Sequence, residues 1–215
     1  MAKVELVIFD MDGLMFDTER IYYKAWQEAA QSKGYAITWE VYTQIVARNS
    51  RYIEKVLKQL LGEALPYKEI EEDKRQRSNQ MIAEEGIGIK KGLLELLDAL
   101  EQKGIKKAVA TSSQREKALS YLSLAGIKER FDDIICGDEV MESKPNPEIF
   151  VKVCGRLGGT PEKTLVLEDS RLGLEAGKKG GMTTVLIPDL VQPDEEMKGN
   201  ADYILNSLDE VIKLL

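Results

Sequence analysis

The sequence contains no histidine. Proton transfer must then rest on a carboxylate, Lys, Tyr or Cys, and metal ligands would most naturally be oxygens. Oxygen donors favour Mg, Ca or Mn over Zn or Cu. Cysteine is scarce as well. Cys136 and Cys154 fit no metal or redox spacing, and both lie in apolar-rich segments that suit buried, reduced thiols. Positive charge is in deficit: 30 Lys and Arg against 37 Asp and Glu give a net charge of −7. That balance argues against a general nucleic-acid binder, because phosphate backbones reward basic surfaces. No apolar run approaches the ~18 residues of a membrane span, and Asp10 interrupts the N-terminal apolar stretch. A cytoplasmic protein with no membrane partner is expected. Repeats and low-complexity tracts are missing, and no exposed apolar heptad suggests an oligomer, so a monomer is the default.

What is present is ordinary in bulk and specific in detail. The 215 residues are 43% hydrophobic and 31% charged, enough for one sizeable core or a core with a small second domain. Short apolar runs, "VELVIF", "KKAVAT", "KTLVLE" and "TTVLI", with a weaker "DDIICG", alternate with segments of helical spacing. These segments are "KGLLELLDALEQKG", "QREKALSYLSLAGI", "NPEIFVKVCGRLGG" and "SRLGLEAGKKGG", and most of them end on Gly, a usual helix stop. The alternation predicts an α/β fold: a doubly wound parallel sheet covered on both faces. Residues 17–87 break the rhythm. "ERIYYKAWQEAAQSKG", "WEVYTQIVARNSRYIEKVLKQLLG" and "YKEIEEDKRQRSNQMIAEEG" all read as helix, so 17–87 is expected as a helical insert in a sheet domain made of 1–16 and 88–215. "PDLVQPDEEMKGN" reads as a surface loop with one helical turn.

The polar residues that follow the apolar runs carry the chemistry. The first run ends in Asp10 and Asp12, the second in Thr111, Ser112 and Ser113, and a later one in Glu168 and Asp169. Lys144 lies in the loop "ESKPNPE". In an open parallel sheet, ligands bind beyond the carboxyl ends of the strands. Four carboxylates meeting there repel one another, and a divalent cation would hold them ionised together. Hydroxyls and free backbone N–H groups at the start of the next helix suit phosphate oxygens. A metal, a lysine and a carboxylate nucleophile make a phosphoryl-transfer set. Taken singly, each residue has a plainer reading, as a turn residue, a loop lysine or a helix cap. All four motifs in order, each at a strand end or adjoining loop, argue against that reading.

"DMDGLMFDTE", "VATSS", "SKPNPEIF" and "VLEDSRLGLEAGKKGG" together resemble the four motifs of the haloacid-dehalogenase-like hydrolases, in the branch of β-phosphoglucomutase and related sugar-phosphate phosphatases. The resemblance spans essentially the whole chain. It implies a Rossmann-like core with an inserted helical cap that closes over the site. It makes Asp10 the nucleophile that becomes an aspartyl-phosphate and Asp12 the general acid/base. Thr111 and Lys144 would hold the transferring phosphate. Mg²⁺ would be bound by Asp10, Glu168 and Asp169, with the backbone carbonyl of Asp12. Thr18, Arg51, Ser112 and Ser113 become candidates for substrate binding. Lys74, Arg75 and Arg77 are weaker ones.

The chain departs from the mutases of this family at two points. Tyr22 occupies the place of a His in the first cap helix, and Arg48 that of a Gly near the cap loop. Losing residues tuned for a mutase favours hydrolysis of a small phosphorylated metabolite, with the mutase as the alternative. Response-regulator receiver domains also surround Mg²⁺ with acids, a Thr or Ser and a Lys, but they are about half this length and have an adjacent acid pair. A catalytically dead binding protein on the same fold is the remaining alternative, and no motif residue is missing that would suggest it.

Overall fold

The computed structural model describes residues 3–46, 48, 50–190 and 192–215. The chain divides into two compact units, Met1–Phe16 with Gly88–Leu215, and Asp17–Ile87. The second unit is helical: α1 (Thr18–Ser32), α2 (Trp39–Tyr42), α3 (Ser50–Leu61) and α4 (Tyr67–Glu85). α1 and α4 pack along one another. α1 buries Ala25, Trp26, Ala29 and Ala30, while α4 buries Ile70 and Ile82. The Trp26 and Tyr67 rings stack at 6.2 Å. Gly86 ends α4 at φ 81°, a left-handed backbone position that suits glycine. The stretch 39–62, which reads as continuous helix in the sequence, is interrupted after Tyr42. Thr43, Ile45 and Val46 are β-branched and lose rotamer freedom in a helix, so the chain turns there instead. Ala47 and Asn49, also in that stretch, lie outside the described residues.

The first unit holds a six-stranded sheet: β1 (Leu6–Phe9), β2 (Lys106–Thr111), β3 (Asp133–Cys136), β4 (Thr164–Glu168), β5 (Thr183–Leu186) and β6 (Tyr203–Ile204). The strand order is β3-β2-β1-β4-β5-β6, and every pairing is parallel. The order reverses at β1, which lies between β2 and β4. β1 and β4 are buried along their whole length, as continuous Val, Ile and Leu runs require when helices cover both faces. Helices α5 (Leu93–Lys103), α6 (Arg115–Leu124), α7 (Glu148–Arg156), α8 (Arg171–Lys179) and α9 (Glu195–Asn200) follow the strands. α7 and α8 close a core in which Ile149, Phe150, Val153 and Ala176 pack on Leu6, Ile8, Ala110 and Val166. α5 and α6 pack against β2 and β3.

The register sets the site. Phe9 stands opposite Val109 on one side and Leu167 on the other. The next residues on each chain are Asp10, Ala110 then Thr111, and Glu168. Asp10 and Glu168 therefore stand at one height and Thr111 one residue further on, all at the carboxyl ends of the strands. Two elements were not expected from the sequence. They are β6 and a 3-10 stretch over Leu208–Leu214, which packs on α5. Among the described residues no helix is long and apolar enough to cross a membrane. Both cysteines are buried free thiols.

Candidate active site

Asp10 and Asp12 lie just past the end of β1. Asp10 N still donates to Leu167 O at 3.0 Å, so the backbone is fixed by β4. The chain then folds back: Met15 N and Phe16 N both donate to Met11 O, and Gly13 N donates to Phe16 O. Met11, Leu14, Met15 and Phe16 are fully buried, which anchors this turn. Gly13 has φ 85°, and a side chain there would meet Asp169 Oδ2 at 2.3 Å. Glycine at 13 thus admits the Asp169 carboxylate to the crevice.

Lys144 ties the centre together. It comes from the loop before α7, and its peptide bond to Pro145 is cis. Its Nζ donates to Asp10 Oδ1 at 2.6 Å, to Glu168 Oε1 at 2.6 Å and to Ala110 O at 3.0 Å. The Phe150 ring lies 4.8 Å from the ammonium. Glu168 is completely buried, and its Oε2 accepts from Ser170 Oγ at 2.8 Å. Ser170 also caps α8 by accepting from Gly173 N at 3.1 Å. Glu168 is therefore more than a helix cap; it is a buried carboxylate facing a buried ammonium. Such groups are tolerated only when paired and hydrogen-bonded.

Burial pushes the Asp10 carboxyl up to about 7, with Lys144 opposing the shift and Glu168 adding to it. Burial alone would pull Lys144 down. The carboxylates of Asp10 and Glu168 outweigh it and hold the ammonium above its ordinary range.

Carboxylate oxygens of Asp10, Glu168 and Asp169 lie within 4.8 Å of one another. This set is all-oxygen and two of its three members are buried, which suits a hard divalent cation such as Mg²⁺. The charges agree. Asp10, Asp12, Glu168 and Asp169 are four acidic groups, and two lysines, Lys144 and Lys117, face them. A dication would make up the difference. Cys136, Asp138 and Glu139 form another acidic group, but its members bond to the backbone of residues 115 and 136 and to Arg115.

Asp12 occupies a different environment from Asp10. Ser113 Oγ donates to Asp12 Oδ2 at 2.7 Å, and Lys117 Nζ donates to Asp12 Oδ1 and Oδ2 at 3.0 and 3.2 Å. Thr111 is buried, and its Oγ1 accepts from Ser113 N at 3.1 Å. Ser112 is exposed, and its carbonyl packs against Gly137, where a side chain would meet Ser112 O at 2.3 Å. The sequence reading missed Lys117 altogether. One signal was available: Lys117 lies in the first turn of α6, four residues after Ser113 in the loop that leads into the helix.

The other candidates lie in the second unit. Thr18 opens α1, is fully buried, and its hydroxyl has no hydrogen-bond partner among the described residues. Arg51 is exposed in the first turn of α3. Lys74 lies over the Tyr22 ring at 4.2 Å. Arg75 pairs with Glu72, and Arg77 pairs with Asp73 and Glu28.

Comparison with known proteins agrees with this geometry. The model of the haloacid dehalogenase-like hydrolase family matches residues 7–187. The chain belongs to that family. It is 35% identical to a phosphorylated carbohydrates phosphatase of Thermotoga maritima, over 85% of this chain and 84% of the relative. A crystal structure of CbbY from Rhodobacter sphaeroides with xylulose-(1,5)bisphosphate is 30% identical, covers 97% of this chain and 96% of its own, and superposes with a TM-score of 0.77. A candidate β-phosphoglucomutase from Thermotoga maritima is 29% identical, covers 98% of each chain, and has a TM-score of 0.82.

Proposed function

We propose that the protein is a Mg²⁺-dependent phosphatase that hydrolyses a small phosphomonoester, a sugar phosphate, through an aspartyl-phosphate on Asp10. One observation carries the reading: a buried lysine, Lys144, bonds at 2.6 Å to carboxylates that end two adjacent strands, Asp10 and Glu168. A buried cation between two acids at a switch point suits an anionic ligand once a dication offsets the remaining negative charge. The relatives named above point the same way, since one is named for phosphorylated carbohydrates and another holds a sugar bisphosphate.

Asp10 attacks the phosphorus, and the bond from phosphorus to the substrate oxygen breaks. Asp12, protonated when substrate binds, gives that proton to the departing oxygen. Asp12 then takes a proton from water as the water attacks the phosphorus. The bond from Asp10 to phosphorus breaks, and inorganic phosphate leaves. Lys144 offsets the charge of the phosphoryl oxygens, and Thr111 with the backbone of Ser112 orients them. Mg²⁺ held by Asp10, Glu168, Asp169 and the Asp12 carbonyl would supply the remaining positive charge. Thr18, Arg51, Ser112 and Ser113 are assigned to substrate binding. An acidic protein with reduced, buried thiols suits the cytoplasm, and a monomer is the working state.

The test is Asp10→Asn. The variant is expected to fold, with unchanged circular dichroism, and to lose turnover of phosphomonoesters; activity near wild type would refute the nucleophile. A mutase is the second reading, supported by the likeness to the candidate β-phosphoglucomutase. Incubation with Mg²⁺, β-glucose 1-phosphate and a trace of the 1,6-bisphosphate separates the two. Glucose 6-phosphate in excess of free phosphate would establish the mutase.

A further inference from the structure

The two aspartates after β1 bond different lysines. Asp10 has Lys144, from the loop before α7, and Asp12 has Lys117, from α6. The oxygen cluster within 4.8 Å comprises Asp10, Glu168 and Asp169, and Asp12 is not part of it. Lys117 is held at several points. It bonds both oxygens of Asp12, donates to Ser113 Oγ at 2.9 Å, and lies 5.1 Å from the centre of the Tyr121 ring. Tyr121 is itself buried and meets the Phe16 ring edge-on at 6.3 Å. An ordinary surface pair reaches one oxygen and leaves the lysine in water. Here the Lys117 side chain keeps 32% of its exposure and the Asp12 side chain 19%.

We infer that Lys117 is a positioning residue for Asp12, holding its carboxylate on the α6 side of the crevice, apart from the Asp10, Glu168 and Asp169 cluster. The inference rests on the proposed role of Asp12 as proton donor and acceptor. A carboxylate two residues from a candidate metal cluster is drawn toward any dication bound there. A carboxylate bound to the metal would lose its freedom to pass a proton to the leaving oxygen. Lys117 and Ser113 counter that attraction with a fixed ammonium and a hydroxyl. Lysine suits the task because its four-carbon stem crosses from the helix to the strand end, and the aromatic ring restricts its swing.

The test compares two aryl substrates that differ in their need for a proton. Phenyl phosphate releases phenolate, the Tyr-like leaving group with a pKa of ~10. p-Nitrophenyl phosphate releases a far better leaving group. For Lys117→Met, kcat/KM on phenyl phosphate is expected to fall about tenfold or more, and on p-nitrophenyl phosphate by less than about threefold, with the loss in kcat and not in KM. Lys117→Arg should restore most of the lost rate. Equal losses on both substrates, no loss on either, or no rescue by Arg would overturn the positioning role. Asp12→Asn is measured beside it. If Asp12→Asn discriminates between the substrates and Lys117→Met does not, the inference alone fails. If Asp12→Asn does not discriminate, the acid role fails with it. A crystal structure of Lys117→Met reads the same point without turnover. The Asp12 carboxylate is expected to leave Ser113, and an unmoved carboxylate would overturn the inference.

Discussion

Gly173 occupies the first turn of α8 and is fully buried. A Cβ built there would stand 1.9 Å from both Cδ and Oε1 of Glu168, an overlap no real structure tolerates. Alanine in a helix is worth ~1 kcal/mol over glycine, so propensity alone predicts a more stable Gly173→Ala protein. The structure predicts the opposite. To admit the methyl group, Glu168 must leave its place, giving up Lys144 at 2.6 Å and Ser170 Oγ at 2.8 Å. Removing one partner of a buried ion pair costs ~3–5 kcal/mol. Lys144 keeps Asp10 and Ala110 O, so the lower end applies, about 3 kcal/mol. The net expectation is destabilisation by about 2 kcal/mol, a fall in Tm of ~4–8 °C for a chain of this size. Turnover should fall about tenfold or more, because Glu168 leaves the oxygen cluster. Urea titration and a p-nitrophenyl phosphate assay, both with and without Mg²⁺, read the two effects. The Glu168→Ala background supplies the control. With the carboxylate gone, Gly173→Ala should recover its ~1 kcal/mol, so the two substitutions should couple by about 3 kcal/mol. A Gly173→Ala protein that is as stable and as active as the parent would refute the placement of Glu168 against α8.

Three further outcomes are expected. Mg²⁺ should raise Tm, because it relieves the repulsion among Asp10, Glu168 and Asp169; at 100 times its Kd the gain is ~2.7 kcal/mol, and Asp169→Asn should reduce it in differential scanning calorimetry. Burial, with Glu139 adding, raises the Cys136 thiol from 9.0 to about 11. A raised thiol contributes stability in full below pH 9 and loses it as pH climbs through about 11. Alkaline denaturation should therefore be steeper between these limits than in Cys136→Ala, and equal slopes would refute the assignment. Arg51 is exposed in α3, so Arg51→Ala should leave the melting curve unchanged and raise KM for the physiological phosphomonoester severalfold. A lower Tm with unaltered KM would make Arg51 a structural residue.

The α/β architecture was legible because each of β1 to β5 is a short apolar run, and those of β1, β2 and β4 lead into the candidate site residues. That pattern alone directs Asp10, Thr111 and Glu168 toward one crevice; the register of β1 with β2 and β4 sets Asp10 level with Ala110 and Glu168, and Thr111 one residue further on. The elements that escaped are those with little local signal. β6 pairs over only two residues, and the stretch from Leu208 to Leu214 is held by its contacts with α5, not by its own spacing. The reading of 39–62 as one helix failed for a related reason. Apolar spacing continues through Thr43, Ile45 and Val46, but these β-branched residues lose rotamer freedom in a helix.

Asp12 and Lys117 show a different limit. Period-two reasoning puts Asp10 and Asp12 on the same side of an extended strand, so that both can address one phosphorus from different angles. The strand ends at Phe9, however, and the chain turns back through Gly13 and Phe16. That turn lets the two carboxylates diverge, one to Lys144 and the other to Lys117 and Ser113. Two acids with the same intrinsic pKa acquire different chemistry only when their surroundings differ. A carboxylate locked to a buried lysine beside a candidate metal cluster is suited to attack phosphorus. One held by a partly exposed lysine and a serine hydroxyl is suited to passing a proton. The division of labour proposed for the pair is thus set after the strand, by a turn and by a helix that begins some hundred residues later.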